Sequence, residues 1–215
     1  PNPSKENMGL EPLPDIDFNI KAGNTLVGYA NETEMKDALE ETFEGRAMKG
    51  DVLEKCLYVA KATQRYKEIQ LSFDEDFKAF KDAKKELLVR QKQLNEILNK
   101  RLFEQYSSTD YKKWLETHQP LHWIAEYYDI ISNQEGFDVI IGNPPYVEYN
   151  KVKETYQIKN YITEDCGNLY AFVIERSNNV LKKNGMLSMI IPISAFSNAS
   201  MKTLQAEYAE KTRYS

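Results

Sequence analysis

FDVIIGNPPYVEY, residues 137–149, is the stretch that decides how this chain folds. An apolar run halted by Gly142 and then by Pro144 and Pro145 predicts a buried sheet strand over 138–141 that delivers a stiff loop to its carboxyl edge. In open α/β sheets that edge is where ligands bind. The loop Asn143-Pro144-Pro145-Tyr146 carries an amide, proline carbonyls and an aromatic ring, a set suited to holding a flat base by its amino group. Pro144 restricts Asn143 to an extended conformation and fixes its own φ, so the loop is held before any ligand arrives.

Downstream, a polar, tyrosine-rich loop runs to Gly167. The spacing of Leu169, Phe172, Val173, Arg176 and Val180 then predicts a helix over 168–183, with Asn184-Gly185 as its C-terminal stop. Residues 186–191 read as a second buried strand ended by Pro192. Strand, crossover helix and strand make one βαβ unit with parallel strands. From Asn198 onward the chain reads as helix that frays.

Upstream the character changes. From about Glu32 to Gln134, Lys, Glu, Gln, Leu and Ala dominate, a composition that favours helix. One helix is expected over 51–70 with Asp51 as N-cap. A longer one is expected over 74–106, where Phe73, Phe77, Phe80, Leu87, Leu94 and Leu98 recur at spacings of three, four and seven. The two pack as an antiparallel hairpin. A parallel coiled-coil seam is the alternative, weakened by Ala83 and Arg90 in heptad register. A short helix over 111–117 leads to Pro120. Near the N-terminus, Pro1, Pro3, Pro12 and Pro14 oppose regular structure over 1–14. Phe18, Ile20 and Ala22 alternate as a strand over 17–22, closed by a Gly23-Asn24 turn.

Composition narrows the function classes. Hydrophobic residues make up 41% and charged residues 28% of the 215, which suits a modest core beside a solvated helical part. No apolar run approaches the roughly 18 residues that span a bilayer. The polar N-terminus lacks a signal-peptide apolar region. Cys56 and Cys166 show no metal-ligand spacing and read as reduced cytoplasmic thiols. His118 and His122 are four apart, a spacing two metal ligands can share. Pro120 lies between them and no acidic partner completes a pattern, so no metal is expected. The net charge of −5 lacks the basic footprint of a free-standing DNA-binding domain.

Several blocks together resemble the gamma-type adenine-N6 DNA methyltransferases of large restriction–modification or phage-defence enzymes. FDVIIGNPPYVEY is similar to their motif IV, the catalytic strand and loop. Residues 168–196, NLYAFVIERSNNVLKKNGMLSMIIPISAF, resemble motifs V and VI. Residues 13–28, LPDIDFNIKAGNTLVG, resemble motif III. Residues 120–146, PLHWIAEYYDIISNQEGFDVIIGNPPY, resemble the run-up to the loop in methylases that are fused to, or act with, restriction functions. The family's glycine-rich motif I, its cofactor-ribose acid and its target-recognition domain have no counterpart here, so the chain reads as the middle of a larger enzyme.

The resemblance implies an α/β fold: a partial Rossmann-like, S-adenosylmethionine-dependent methyltransferase core with a long α-helical insertion. Residues 1–31 would be a lead-in and the motif III strand. Residues 32–134 would be the helical insertion, and 135–215 the core with the catalytic loop and βαβ unit. The chain would supply the third, fourth and fifth strands of the family's sheet and leave an open edge prone to self-association. Its partner would be double-stranded DNA, gripped mainly through the absent recognition domain, in the cytoplasm and with no membrane.

In the catalytic role so implied, the Asn143 side-chain carbonyl and the Pro144 main-chain carbonyl accept the two hydrogens of the adenine amine. Pro145 stiffens the loop. Tyr146 stacks on the extruded base, an interaction typically worth about 1–3 kcal/mol. No general base is needed beforehand, so Glu148 and Asp138 are not recruited. Asn24 either holds the adenine of the cofactor or is an ordinary turn residue. Gly142 permits close backbone approach. Tyr170 lines the cofactor side or packs in the core, and the insertion is a spacer or a DNA or subunit contact. The bland reading of the loop is a Pro-Pro turn capping a strand. Rival functions are methylation of a protein glutamine or of ribosomal RNA, and a non-catalytic helical interaction module. The isolated chain is expected to be inactive and to bind cofactor weakly or not at all.

Overall fold

The structure is a computed structural model that describes residues 18–71 and 77–211. The helical part begins with α1 (Glu32–Glu40), whose N-cap Asn31 accepts from the Glu34 N–H. It continues with α2 (Phe43–Leu71) and α3 (Phe77–Phe103). Arg65 pairs with Glu86, the Arg90 guanidinium lies over Tyr58, and the Tyr66 ring meets Phe80. Rising numbers on α2 meet falling numbers on α3, so the two helices form the expected antiparallel hairpin.

Its seam is apolar. Ala83, Leu87, Leu94 and Leu98 of α3 pack in one cluster with Val52, Cys56 and Val59 of α2 and with Met35 and Leu39 of α1. Ala83, expected to be a weak core position, is buried, because its small side chain lets the helices approach. Arg90 lies at the seam's edge, held by Glu86. Phe73 lies outside the described residues. Asp51 is not an N-cap. The helix starts eight residues earlier and runs through Gly45 and Gly50, and Asp51 pairs with Lys55 one turn on. The summed helix preference of the flanking residues outweighs the roughly 1 kcal/mol that each glycine costs.

Helix α4 (Tyr111–His118) is capped by Asp110, and α5 (Trp123–Glu126) is followed by a π-helical turn, Asp129–Asn133. The strand expected over 17–22 is not formed in its described part. Phe18 packs edge-on against Tyr66 at 4.7 Å, and Lys21 pairs with Glu126 at 2.8 Å. Backbone pairing occurs one step later. Asn24 bridges Pro120, Asn24 N–H donates to Gln119 at 2.7 Å, and Leu121 N–H donates to Val27 at 2.7 Å. Asp17 and the lead-in over 1–14 lie outside the described residues.

Both histidines are explained by burial. His122 accepts from the Tyr29 N–H on Nδ1 at 3.1 Å, so its other nitrogen carries the proton toward Asn99 at 3.0 Å. Burial pulls its pKa down to about 3. His118 accepts from the Gln157 N–H at 3.1 Å and faces the Trp114 carbonyl. Among the described residues no cluster of three metal-binding side chains occurs, and no helix is long and apolar enough to cross a membrane.

The second part begins with β1 (Phe137–Gly142), continues through α6 (Leu169–Val180) and returns in β2 (Leu181–Met189), which pairs with β1 in parallel. Asn168 caps α6. The helix stops at Val180, earlier than Asn184-Gly185 suggested. Asn184, at φ 67°, instead turns an irregularity between the Phe137–Leu181 and Val139–Met186 pairs. Leu181 is already extended and pairs with Phe137, and the two backbones approach closely there: at Gly136, φ +121°, a Cβ would lie 2.7 Å from the Val180 carbonyl. Helices α7 (Ser194–Ser197) and α8 (Lys202–Lys211) follow.

The architecture is therefore mixed helix and strand, with a two-stranded parallel sheet among the described residues. Leu187, Met189 and Ile191 pack against Tyr170, Ile174 and Leu204, while Ile140 joins the larger helical core. The opposite sheet face is uncovered. Val139, Ile141 (79% exposed) and Met186 look into solvent, contrary to the buried strands expected from their sequence.

Candidate active site

The loop 143–146 leaves the carboxyl end of β1, as its sequence anticipated. The ladder continues one step past the strands, with Ile190 N–H donating to the Gly142 carbonyl at 3.0 Å. Gly142 leaves space that the Met189 side chain fills; a Cβ would meet its sulfur at 2.6 Å. Pro144 is buried, whereas Asn143, Pro145 and Tyr146 are exposed. Burial of one proline and rigidity of both fix the loop backbone while the amide and the ring stay open.

Tyr146 is half exposed and stands edge-on to Tyr170, with ring centroids 6.4 Å apart. Tyr170 is buried and its hydroxyl reaches the Met201 sulfur at 3.3 Å, so it packs in the core under the loop. The Tyr146 hydroxyl donates to the Ile190 carbonyl at 2.7 Å and lies 3.1 Å from Asn143 Oδ1. The loop is thus strapped to the end of β2. This strap was not readable in sequence, because its acceptor is a backbone carbonyl; the only signal was Pro192, which ends the strand nearby.

After Tyr146 the chain is pinned again. Leu169 N–H donates to Val147 at 2.9 Å, Tyr149 N–H donates to Gly167 at 2.9 Å, and Glu148 bridges Asn168. Glu148 pairs with Lys151 at 3.6 Å and Asp138 with Lys182 at 3.1 Å, so both carboxylates are engaged away from the loop.

Asn24 is not drawn into this group. Its Oδ1 accepts from the Leu26 N–H at 3.1 Å, a local turn, and its backbone pairs with the 119–120 segment. Beside it a cavity of about 220 Å³ opens between Thr25, Trp123, the 137–141 stretch of β1 and Arg176, Ser177 and Val180 of α6.

Two adjacent charges on α6 fix this framework. Glu175 accepts from the Ile162 and Thr163 N–H groups at 3.0 and 2.9 Å. Arg176 donates to Tyr161 at 2.7 Å, Glu34 at 2.8 Å and the Gly28 carbonyl at 3.1 Å. Burial raises the Tyr161 pKa, keeping the phenol protonated beside the guanidinium. Sequence reading placed Arg176 on one face of α6 with Leu169, Phe172, Val173 and Val180; it is a buried charge there, with a partner at each guanidinium nitrogen.

The chain is similar to restriction–modification proteins by sequence. Over 93 residues it is 36% identical to a protein of Methanocaldococcus jannaschii named as a type II restriction enzyme and methyltransferase, a match covering 43% of this chain and 8% of that protein. No solved structure matches it. The family described as Eco57I restriction-modification methylase matches residues 30–215, which include α1 to α8 and the loop 143–146. The chain belongs to the Eco57I restriction-modification methylase family.

Proposed function

We propose that this chain carries the base-holding half of a site-specific adenine-N6 DNA methyltransferase with a partial Rossmann-like core. The observation that supports the reading most directly is Asn143-Pro144-Pro145-Tyr146 at the carboxyl edge of a parallel strand, its amide and ring exposed on a buried proline. Asn143 Oδ1 and the Pro144 carbonyl take the two amine hydrogens of a flipped adenine, and the Tyr146 ring stacks on the base. Two acceptors on one amine draw its lone pair out of the ring and favour a more tetrahedral, nucleophilic nitrogen. Holding those acceptors rigidly before the base arrives is the source of the rate gain. The amine loses its proton after reaction, so the engaged carboxylates Glu148 and Asp138 have no part in it.

S-adenosylmethionine is the methyl donor the family implies. The described residues do not complete a site for it. Asn24 commits its side-chain oxygen to a turn, and among the described residues no glycine-rich turn follows either strand. The part these residues play is to hold and orient the base. Residues 1–215 alone are accordingly inactive. DNA is the substrate; with a net charge of −5, most phosphate contact comes from residues other than these. The exposed sheet face and free edge of β1 favour self-association of the isolated chain. The buried free thiols Cys56 and Cys166 fit a reducing cytoplasm.

The test is transfer of labelled methyl groups to unmethylated genomic DNA by the complete protein, with digestion to nucleosides. Wild type should yield N6-methyladenine and residues 1–215 alone none. Asn143→Ala should lower the rate by about 10²-fold or more, the scale of losing one preorganised transition-state contact. Product on cytosine, or unchanged methylation by Asn143→Ala, would refute the reading.

A further inference from the structure

We propose that the Tyr146 hydroxyl is a placeholder: it occupies the amine-binding acceptor of Asn143 until the target base displaces it, and the Ile190 carbonyl then keeps it. This rests on the adenine-amine reading of the loop and adds a second role for a residue whose ring alone would serve for stacking.

The geometry is specific. One phenolic proton faces two acceptors, Ile190 O at 2.7 Å and Asn143 Oδ1 at 3.1 Å. A hydroxyl has a single hydrogen to donate, so the two contacts share it and the longer one is weaker. The Ile190 carbonyl is anchored, because the Ile190 N–H is bound to Gly142 at the end of the sheet. Asn143 is exposed, and its longer contact is the one that gives way. An entering amine can therefore take Asn143 Oδ1 while the hydroxyl stays on Ile190. The ring need not move far, since Tyr170 supports it from the buried side.

The consequence is a competition. The entering amine competes with the phenol for the same oxygen, and apparent affinity falls by the fraction of molecules in which the phenol blocks its approach. Tyr146→Phe keeps the ring and its support and frees the acceptor. A net hydrogen bond converts to about a two- to tenfold change in binding.

The experiment uses the complete protein, unmethylated genomic DNA and N6-methyladenine as readout, with KM for DNA measured for wild type and Tyr146→Phe. The expected result is a KM about two- to tenfold lower for Tyr146→Phe. A strap that only braces the loop would instead leave KM unchanged or raise it. That outcome, with wild type producing N6-methyladenine, overturns the placeholder and leaves the underlying reading standing. A wild type that makes no N6-methyladenine overturns both.

Discussion

The helical hairpin and the sheet solve the same problem in opposite ways. In the hairpin, the apolar side chains Leu87, Leu94 and Leu98 are fully enclosed by α1, α2 and the segment around Trp114 and Ile124. In the sheet, one face is enclosed by α6 and α8 while the other presents Val139, Ile141, Met186 and, just beyond β2, Ile190 to solvent. The first region is complete in itself, and the second has the surface of something that expects to be covered. Stability and function are thus unevenly distributed. The Asn-Pro-Pro-Tyr loop hangs from the less finished part, strapped to Ile190 and backed by Tyr170.

That contrast is open to measurement. Leu94→Ala should have the largest effect, lowering stability by about 3 kcal/mol through lost burial and a cavity, read as the shift of a denaturant midpoint. A loss below about 1 kcal/mol would mean that the hairpin core is looser than its burial suggests. Acidification should come next. His122 is neutral in the fold, with a pKa of about 3, and titrates near 6.5 when unfolded. Its contribution is intact above pH 6.5 and is lost as pH falls from there toward 3, because only the unfolded state takes up the proton. Stability at pH 5 should therefore be about 2 kcal/mol below that at pH 7 from this group alone. A His122→Gln protein should show a flatter profile, and an unchanged slope would assign the acid sensitivity elsewhere. The smallest effect belongs to the sheet. Ile141→Thr should change stability by no more than about 0.5 kcal/mol while reducing self-association in sedimentation. A large destabilisation would show that this face is already covered in solution.

The sequence foretold the hairpin because Leu87, Leu94 and Leu98 obey a helical period whose burial the partner helix confirms. It also foretold where the Asn-Pro-Pro-Tyr loop leaves its strand, since two prolines after an apolar run allow little else. Other features were invisible for physical reasons. Phe18 and Lys21 found partners on other elements, Tyr66 and Glu126, so a short alternating segment did not become a strand. Asn184-Gly185 serves equally well to end a helix or to turn a bulge, and here Leu181 has already paired with Phe137, so Asn184 turns the irregularity that follows. The apolar runs at 138–141 and 186–191 identify strands without saying what will cover them. The strap from Tyr146 to Ile190 runs to a carbonyl that every residue possesses.

The Glu175–Arg176 pair on α6 bears on whether this module can be moved to another scaffold. One charge is matched by backbone N–H groups of the 162–163 turn, the other by Glu34 and the Gly28 carbonyl, about 140 residues away. A graft of 135–211 alone would carry Arg176 without its counter-charge, and an unmatched buried guanidinium costs about 3–5 kcal/mol. Transplanting the loop therefore requires either bringing 28–34 along or exchanging Arg176 for an apolar residue of similar length, such as methionine. The segment 135–211 is contiguous in the chain, but the smallest unit that can be inherited or engineered intact is not.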